Sequence, residues 1–152
     1  MDLTGSRILP APRTAVWAHL IAPDSLARCI PGCERVTGNP VDGFDMVVSQ
    51  NLVLTKVTFE GTIELSDVVP ATSVTLTGRG KGGVAGHAKG SAGIRLDDHP
   101  VGTEISWDLG ALLEGRVARI GRGVVHSLAT RMTMRFLDRL EALLADTAET
   151  RP

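Results

Sequence analysis

"TEISWDLGALLEGRVARIGRGVVHSLATRMTMRFLDRLEAL", residues 103–143, changes its hydrophobic period part-way along. In its first third, Thr103, Ile105, Trp107, Leu109 and Ala111 share one face and Glu104, Ser106 and Asp108 the other. Period two is the pattern of a strand buried on one side. From about Glu114 the spacing becomes three and four, through Val117, Ile120, Val124, Leu128, Met132, Phe136, Leu140 and Leu143. That predicts one amphipathic helix of roughly 30 residues, long for a globular protein. A last strand therefore runs into a long terminal helix.

Upstream of this junction the period-two pattern repeats. "HAKGSAGIRLDD" (87–98) puts Ala88, Gly90, Ala92, Ile94 and Leu96 on one face. "SVTLTGRGK" (73–81) turns Val74 and Leu76 inward and, if the pattern continues, Gly78 and Gly80 as well. Val57, Phe59, Gly61, Ile63 and Leu65 alternate with polar residues, and "FDMVVSQNLVL" (44–54) is strand-like. "NPVDG" (39–43) and "DDHPVG" (97–102) carry turn chemistry. At the start, residues 2–9 read as a strand. Pro12 suits the first turn of a helix carrying Val16, Trp17 and Leu20. Pro23 stops that helix, Asp24 or Ser25 caps a second, "SLARCI" (25–30), and Pro31-Gly32 ends it.

The order is strand, two short helices, about six antiparallel strands and one long helix. An antiparallel sheet with one apolar face must be covered, and the terminal helix is long enough to do it. The expected fold is α+β, a curved antiparallel sheet wrapped around the C-terminal helix. Residues 1–146 read as a single domain and 147–152 as a polar tail.

Composition narrows the function classes. The chain has 152 residues, 43% hydrophobic and 22% charged, with a net charge of −1. That balance fits a soluble globular domain and gives no global attraction to nucleic acid. Aromatic residues are only 3%, with no tyrosine, which disfavours the stacking platforms of single-strand binders. No apolar leader and no run of about eighteen apolar residues is seen. Cys29 and Cys33 do not make a disulfide framework, and C-x-x-x-C is not a thioredoxin arrangement. They read as buried, reduced thiols of a cytoplasmic protein.

"GRGKGGVAGHAKGSAG" (78–93) looks at first like a phosphate loop. A P-loop needs G-x-x-x-x-G-K-[ST] between a strand and a helix, and here both spacing and context fail. Read as a hairpin, its lysines and arginine face outward and its small residues face the helix. Small residues there either permit sheet curvature or leave an apolar cavity beneath the helix. His19, His87, His99 and His126 have no partner at metal-ligand spacing, and no G-x-S-x-G occurs. The nearly apolar interior is poor ground for acid–base chemistry.

Four segments resemble one family in order along most of the chain: "ILPAPRTAVWAHL" (8–20), "CIPGCERV" (29–36), "GKGGVAGHAKGSAGIRL" (80–96) and "GRVARIGRGVV" (115–125). They are similar to the family of the carbon monoxide dehydrogenase G subunit, of the START-like helix-grip (SRPBCC) superfamily. The resemblance implies a sheet gripping a C-terminal helix. It also implies a non-catalytic accessory protein of a molybdenum hydroxylase such as carbon monoxide dehydrogenase. Such a protein would hold a quinone (menaquinone or ubiquinone), not covalently, and link the enzyme to the quinone pool by peripheral contact at the inner face of the cell membrane.

The residues expected around such an apolar ligand are Phe59, Val74, Leu76, Gly78, Gly80, Ala88, Gly90, Ala92, Ile94, Ile105, Trp107 and Leu109 from the sheet. Ile120, Val124 and Leu128 would join them from the helix. Arg131, Arg135 and Arg139, spaced by four, form either a solvated face or a docking face for an acidic protein surface or anionic lipid headgroups. No catalytic or metal residue is assigned, and no nucleic-acid partner is expected. Two alternatives stay open: a cavity enzyme of the same superfamily using His19, His126 or Asp108, and an assembly factor in which any cavity is incidental.

Overall fold

Each period-two segment forms a strand, and seven strands make one antiparallel sheet ordered β1-β7-β6-β5-β4-β3-β2. The structure is a computed structural model that describes the backbone of residues 2–52 and 55–150. The strands are β1 (Asp2–Leu9), β2 (Cys33–Asn39), β3 (Gly43–Leu52), β4 (Thr55–Val69), β5 (Ser73–Lys81), β6 (His87–His99) and β7 (Gly102–Glu114). The helices are α1 (Arg13–Leu20), α2 (Pro23–Cys29) and α3 (Arg122–Thr150). Val53 and Leu54, expected to close the third strand, lie outside the described residues.

The six strands β2–β7 form an unbroken meander. β1 instead pairs with β7, so the first two strands in sequence lie at opposite edges of the sheet. The chain between them is α1 and α2, which cross that width. Pro23 begins α2 rather than merely ending α1, and Ala22, not Asp24 or Ser25, takes the N-cap position. Proline fits a first helical turn because its missing N–H has no partner to lose. Arg13 fastens the start of α1 to the end of the sheet that β1 has just left, through Asp98 on β6 at 2.8 Å and the Ala71 carbonyl at 2.8 Å. The buried Thr103 hydroxyl donates to the Ala11 carbonyl at 2.6 Å, holding the β1–α1 bend against β7.

The terminal helix begins later than the period change predicts. Gly115–Ile120 form a 3-10 turn, Gly121 adopts φ +94, and α3 starts only at Arg122. Val117 and Ile120 keep an apolar spacing because they pack under that turn, not because they belong to the helix. At its other end α3 runs through Thr150, so residues 147–150 continue the helix, while Arg151 and Pro152 lie outside the described residues.

The dense core sits under the C-terminal half of α3. Leu137, Leu140 and Leu144 are at most 3% exposed and join Leu9, Val16, Leu96 and Ile105. Burying a leucine is worth about 2 kcal/mol, so this half anchors the helix. The N-terminal half is less committed: Val124 is 39% exposed and Leu128 only partly buried. Arg7 on β1 adds a lateral tie, reaching Asp138 at 2.8 Å and Glu141 at 3.4 Å on α3. The hydrogen bond to Asp138 raises the Arg7 pKa further, opposed in part by burial.

Candidate functional site: a cavity floored by small residues

The sheet beneath the first half of α3 is paved with residues that have almost no side chain. Gly61, Gly80 and Ala88 are register neighbours in one row across β4, β5 and β6. Gly78, Gly90 and Ala111 form the next row across β5, β6 and β7. The glycines at 78 and 80 are not forced by the backbone, since neither has a left-handed φ. A Cβ at Gly78 would meet nothing nearer than 3.7 Å, and one at Gly80 nothing nearer than 3.6 Å. Their effect is to withhold volume. Interiors are otherwise packed like crystals, so missing side chains in adjacent rows leave space.

That space is a cavity of about 470 Å³, partly open to solvent. Met46, Val48, Phe59, Ile63, Leu76 and Leu109 wall it, and Ala129 and Met132 reach it from α3. The polar lining residues Thr62, Arg79, Lys89 and Ser91 are exposed and alternate with the inward set, so their side chains belong to the outer face. A second compartment of about 220 Å³ shares Leu109 and Met132 with the first. Ile94, Ile105, Trp107, Thr133 and Phe136 line it.

One polar atom stands out. The Trp107 indole N–H is buried without a hydrogen-bond partner. Leaving a buried donor unpaired costs about 1–3 kcal/mol. The nearby Thr133 hydroxyl is already engaged, donating to the Ala129 carbonyl at 2.8 Å. The indole nitrogen is closed off from solvent and lies against β1, 3.1 Å from where a Cβ on Gly5 would stand.

Eight of the residues expected to line the site surround the larger cavity: Phe59, Leu76, Gly78, Gly80, Ala88, Gly90, Ala92 and Leu109. Ile94, Ile105 and Trp107 line the smaller one. Four belong elsewhere. Val74 is 4% exposed and packs into the main core. Ile120 and Leu128 pack with Val57 and Val117 in a separate apolar cluster, which Phe59 also touches. Val124 faces solvent. The late start of α3 explains the helical misplacements, because the helix delivers Ala129, Met132, Thr133 and Phe136 to the two spaces. The strand alternation already held Gly61, Ile63 and Ala111 on the inward face. No sequence signal marks Ala129 as the helical residue that leaves room.

The groups nominated for catalysis do not converge. His19 is bonded to Ser25 at 2.7 Å, while His126 and Asp108 are exposed, and none of the three lines either cavity. Among the described residues no group of three or more His, Cys, Asp or Glu could hold a metal. Cys29 and Cys33 are free thiols. Burial pushes Cys29 up to about 11, against smaller opposing effects of Arg139 and Arg28. Burial also raises Cys33, which is only partly covered and donates weakly to the Arg35 carbonyl. Arg131, Arg135 and Arg139 are all exposed along α3.

A sequence profile of the carbon monoxide dehydrogenase G subunit (CoxG) matches residues 5–145. The chain belongs to the CoxG family. That span takes in both cavities, α1, α2 and most of α3. No curated protein sequence matches the chain. Solved structures share the fold of this CoxG-family chain. A conserved protein from Geobacillus kaustophilus is 24% identical with a TM-score of 0.89, over 97% of each chain. A protein from Chromobacterium violaceum is 19% identical with a TM-score of 0.71, over 94% of this chain and 96% of its own. One from Rhizobium leguminosarum is 16% identical with a TM-score of 0.72, over 96% and 95%. The expected helix-grip architecture is the one observed. Among the described residues of this CoxG-family chain, no helix is long and apolar enough to cross a membrane.

Proposed function

We propose that this protein is a non-enzymatic carrier of an apolar, carbonyl-bearing ligand of the menaquinone or ubiquinone class. In this reading it serves a molybdenum hydroxylase such as carbon monoxide dehydrogenase and connects that enzyme to the membrane quinone pool. The observation that carries the reading is the cavity itself. Its 470 Å³ lies within the range of about 300–1,000 Å³ usual for ligand pockets, and its walls are almost wholly apolar. The adjoining compartment extends that apolar lining through Ile94, Ile105, Trp107 and Phe136. A mostly apolar pocket suits an uncharged, largely apolar ring better than a charged metabolite. Family membership supports the hydroxylase partner, and the exposed row Arg131, Arg135 and Arg139 is the proposed face for it.

The test is a thermal-shift titration with short-chain menaquinone and ubiquinone analogues. A ligand at 100 times its Kd raises stability by about 2.7 kcal/mol, a shift of several degrees for a domain of this size. A flat Tm across the series would overturn the reading. An incidental cavity in a pure assembly factor predicts the same flat result, together with loss of partner binding on charge reversal at Arg131 and Arg135.

A further inference from the structure

The hairpin tip between β5 and β6 and the 3-10 turn after β7 meet at one end of the molecule. Gly86 and Gly115 lie in backbone contact, so close that a side chain on either would strike the other strand of chain. The first of these segments carries Val84, 86% exposed, at its apex. Leu112, 58% exposed, lies three residues before the second.

Cations surround these apolar residues. Segments 79–89 and 110–124 hold Arg79, Lys81, Lys89, Arg116, Arg119 and Arg122 against one acid of their own, Glu114, while Glu60 on β4 stands across from Lys81 and Asp2 on β1 lies near Gly110. Glu114 itself lies 3.7 Å from Lys89. A chain whose net charge is −1 thus concentrates positive charge at this end. The same end touches the cavity. Phe59 lines the larger space and also packs into the cluster of Val57, Val117 and Ala85 beneath the two turns.

We infer that this tip docks on an anionic lipid surface, with Val84 entering the interface and Arg116, Arg119 and Arg122 pairing with headgroup phosphates. A protruding apolar apex flanked by cations matches a headgroup layer over hydrocarbon. Binding of this kind draws on buried apolar area and on attraction to anionic lipid. Docking here sets the cavity end against the phase in which an apolar ligand is dissolved. The inference rests on the carrier reading only for that purpose; the contact itself rests on exposure and charge.

The experiment is co-sedimentation of the full chain with vesicles of phosphatidylcholine, with and without one-third phosphatidylglycerol. Expected is binding that needs phosphatidylglycerol and weakens at high salt. Val84→Asp should reduce it at least fivefold, and the pair Arg116→Glu, Arg119→Glu should abolish the preference for anionic lipid. Val84 and both arginines are exposed, and thermal melts will show that these variants stay folded. Arg131→Glu with Arg135→Glu, on a different basic face, should leave vesicle binding unchanged. Absence of vesicle binding overturns the inference. So does binding lost only with the Arg131 and Arg135 changes, or retention on immobilised polyglutamate without vesicle binding, which marks an acidic protein as the partner. Titration of a menaquinone analogue in the absence of vesicles separates the two proposals. Val84→Asp should bind it with unchanged affinity, whereas wild-type protein that sediments with vesicles but binds no quinone refutes the carrier alone.

Discussion

Gly5 on β1 stands directly across from Trp107 on β7, and a Cβ on Gly5 would lie 2.5 Å from the indole Cζ2. The indole occupies the place that any other residue at position 5 would fill. Gly5→Ala therefore displaces Trp107 from the wall of the smaller compartment or forces β1 away from β7. A cost of about 1–3 kcal/mol is expected, as for other overpacked sites. Thermal melts and tryptophan emission read it together, and a variant with unchanged Tm and unchanged emission would show that the glycine is not required there.

Filling the cavity should separate ligand binding from stability. Gly78 has room for a side chain and no special backbone conformation, so Gly78→Leu projects into the empty volume. Replacing a strand glycine also removes an entropic penalty of about 0.5–1 kcal/mol. The expected outcome is a free-protein Tm equal to or above wild type and no thermal shift with quinone analogues. A marked loss of stability would mean that the space is not empty in solution.

The unpaired indole N–H is a cost carried by the free protein. Trp107→Phe removes a buried donor whose isolation costs about 1–3 kcal/mol while keeping an aromatic ring over Gly5. The lost ring volume acts against that gain, so the Tm of the free protein should change little. Affinity for a quinone analogue should fall no more than affinity for a polyprenyl hydrocarbon without the carbonyl. Thermal melts and isothermal titration with both ligands check this, and a loss selective for the quinone would show that the N–H reaches the ligand.

Alkaline stability should depend on Cys29. Its thiol is raised from an ordinary 9.0 to about 11 by burial, with the residue 1% exposed. Below pH 9 the thiol is protonated in both folded and unfolded chains and contributes nothing to the difference. Between pH 9 and 11 the unfolded chain releases that proton and the folded chain does not, so stability falls as pH rises. The loss by pH 11 is about 2–3 kcal/mol, with Cys33 acting in the same direction. Denaturant melts from pH 8 to 11 should show the decline, reduced in Cys29→Ala. The Cys29 thiol should also resist a disulfide reagent that reaches Cys33, and equal reactivity would contradict its burial.

Much of this architecture could be read along the chain because each strand buries one face, and alternation writes that face into the sequence. The glycines at 78, 80 and 90 and the alanines at 88 and 92 stood on the inward side by that rule alone, and they do floor the larger cavity. The helix was harder to read. Val117, Ile120, Val124 and Leu128 continue an apolar spacing, yet the first two lie in a 3-10 turn and Val124 faces water. Periodicity reports that residues pack on something, but not on what.

What the sequence alone determined was therefore the sheet, its inward face, the presence of a terminal helix and the small-residue floor. These follow from local period and from residue size. Three things were decided only by tertiary structure. The start of α3 at Arg122 selects Ala129 and Met132, rather than Val124 and Leu128, as the roof of the cavity. The pairing of β1 with β7 brings Gly5 beneath Trp107 across more than a hundred residues of chain. The meeting of the β5–β6 tip with the turn after β7 gathers Val84 and the arginines at one end. Each depends on contacts between segments distant in sequence, and no local pattern of side chains records which distant neighbour a buried face will meet.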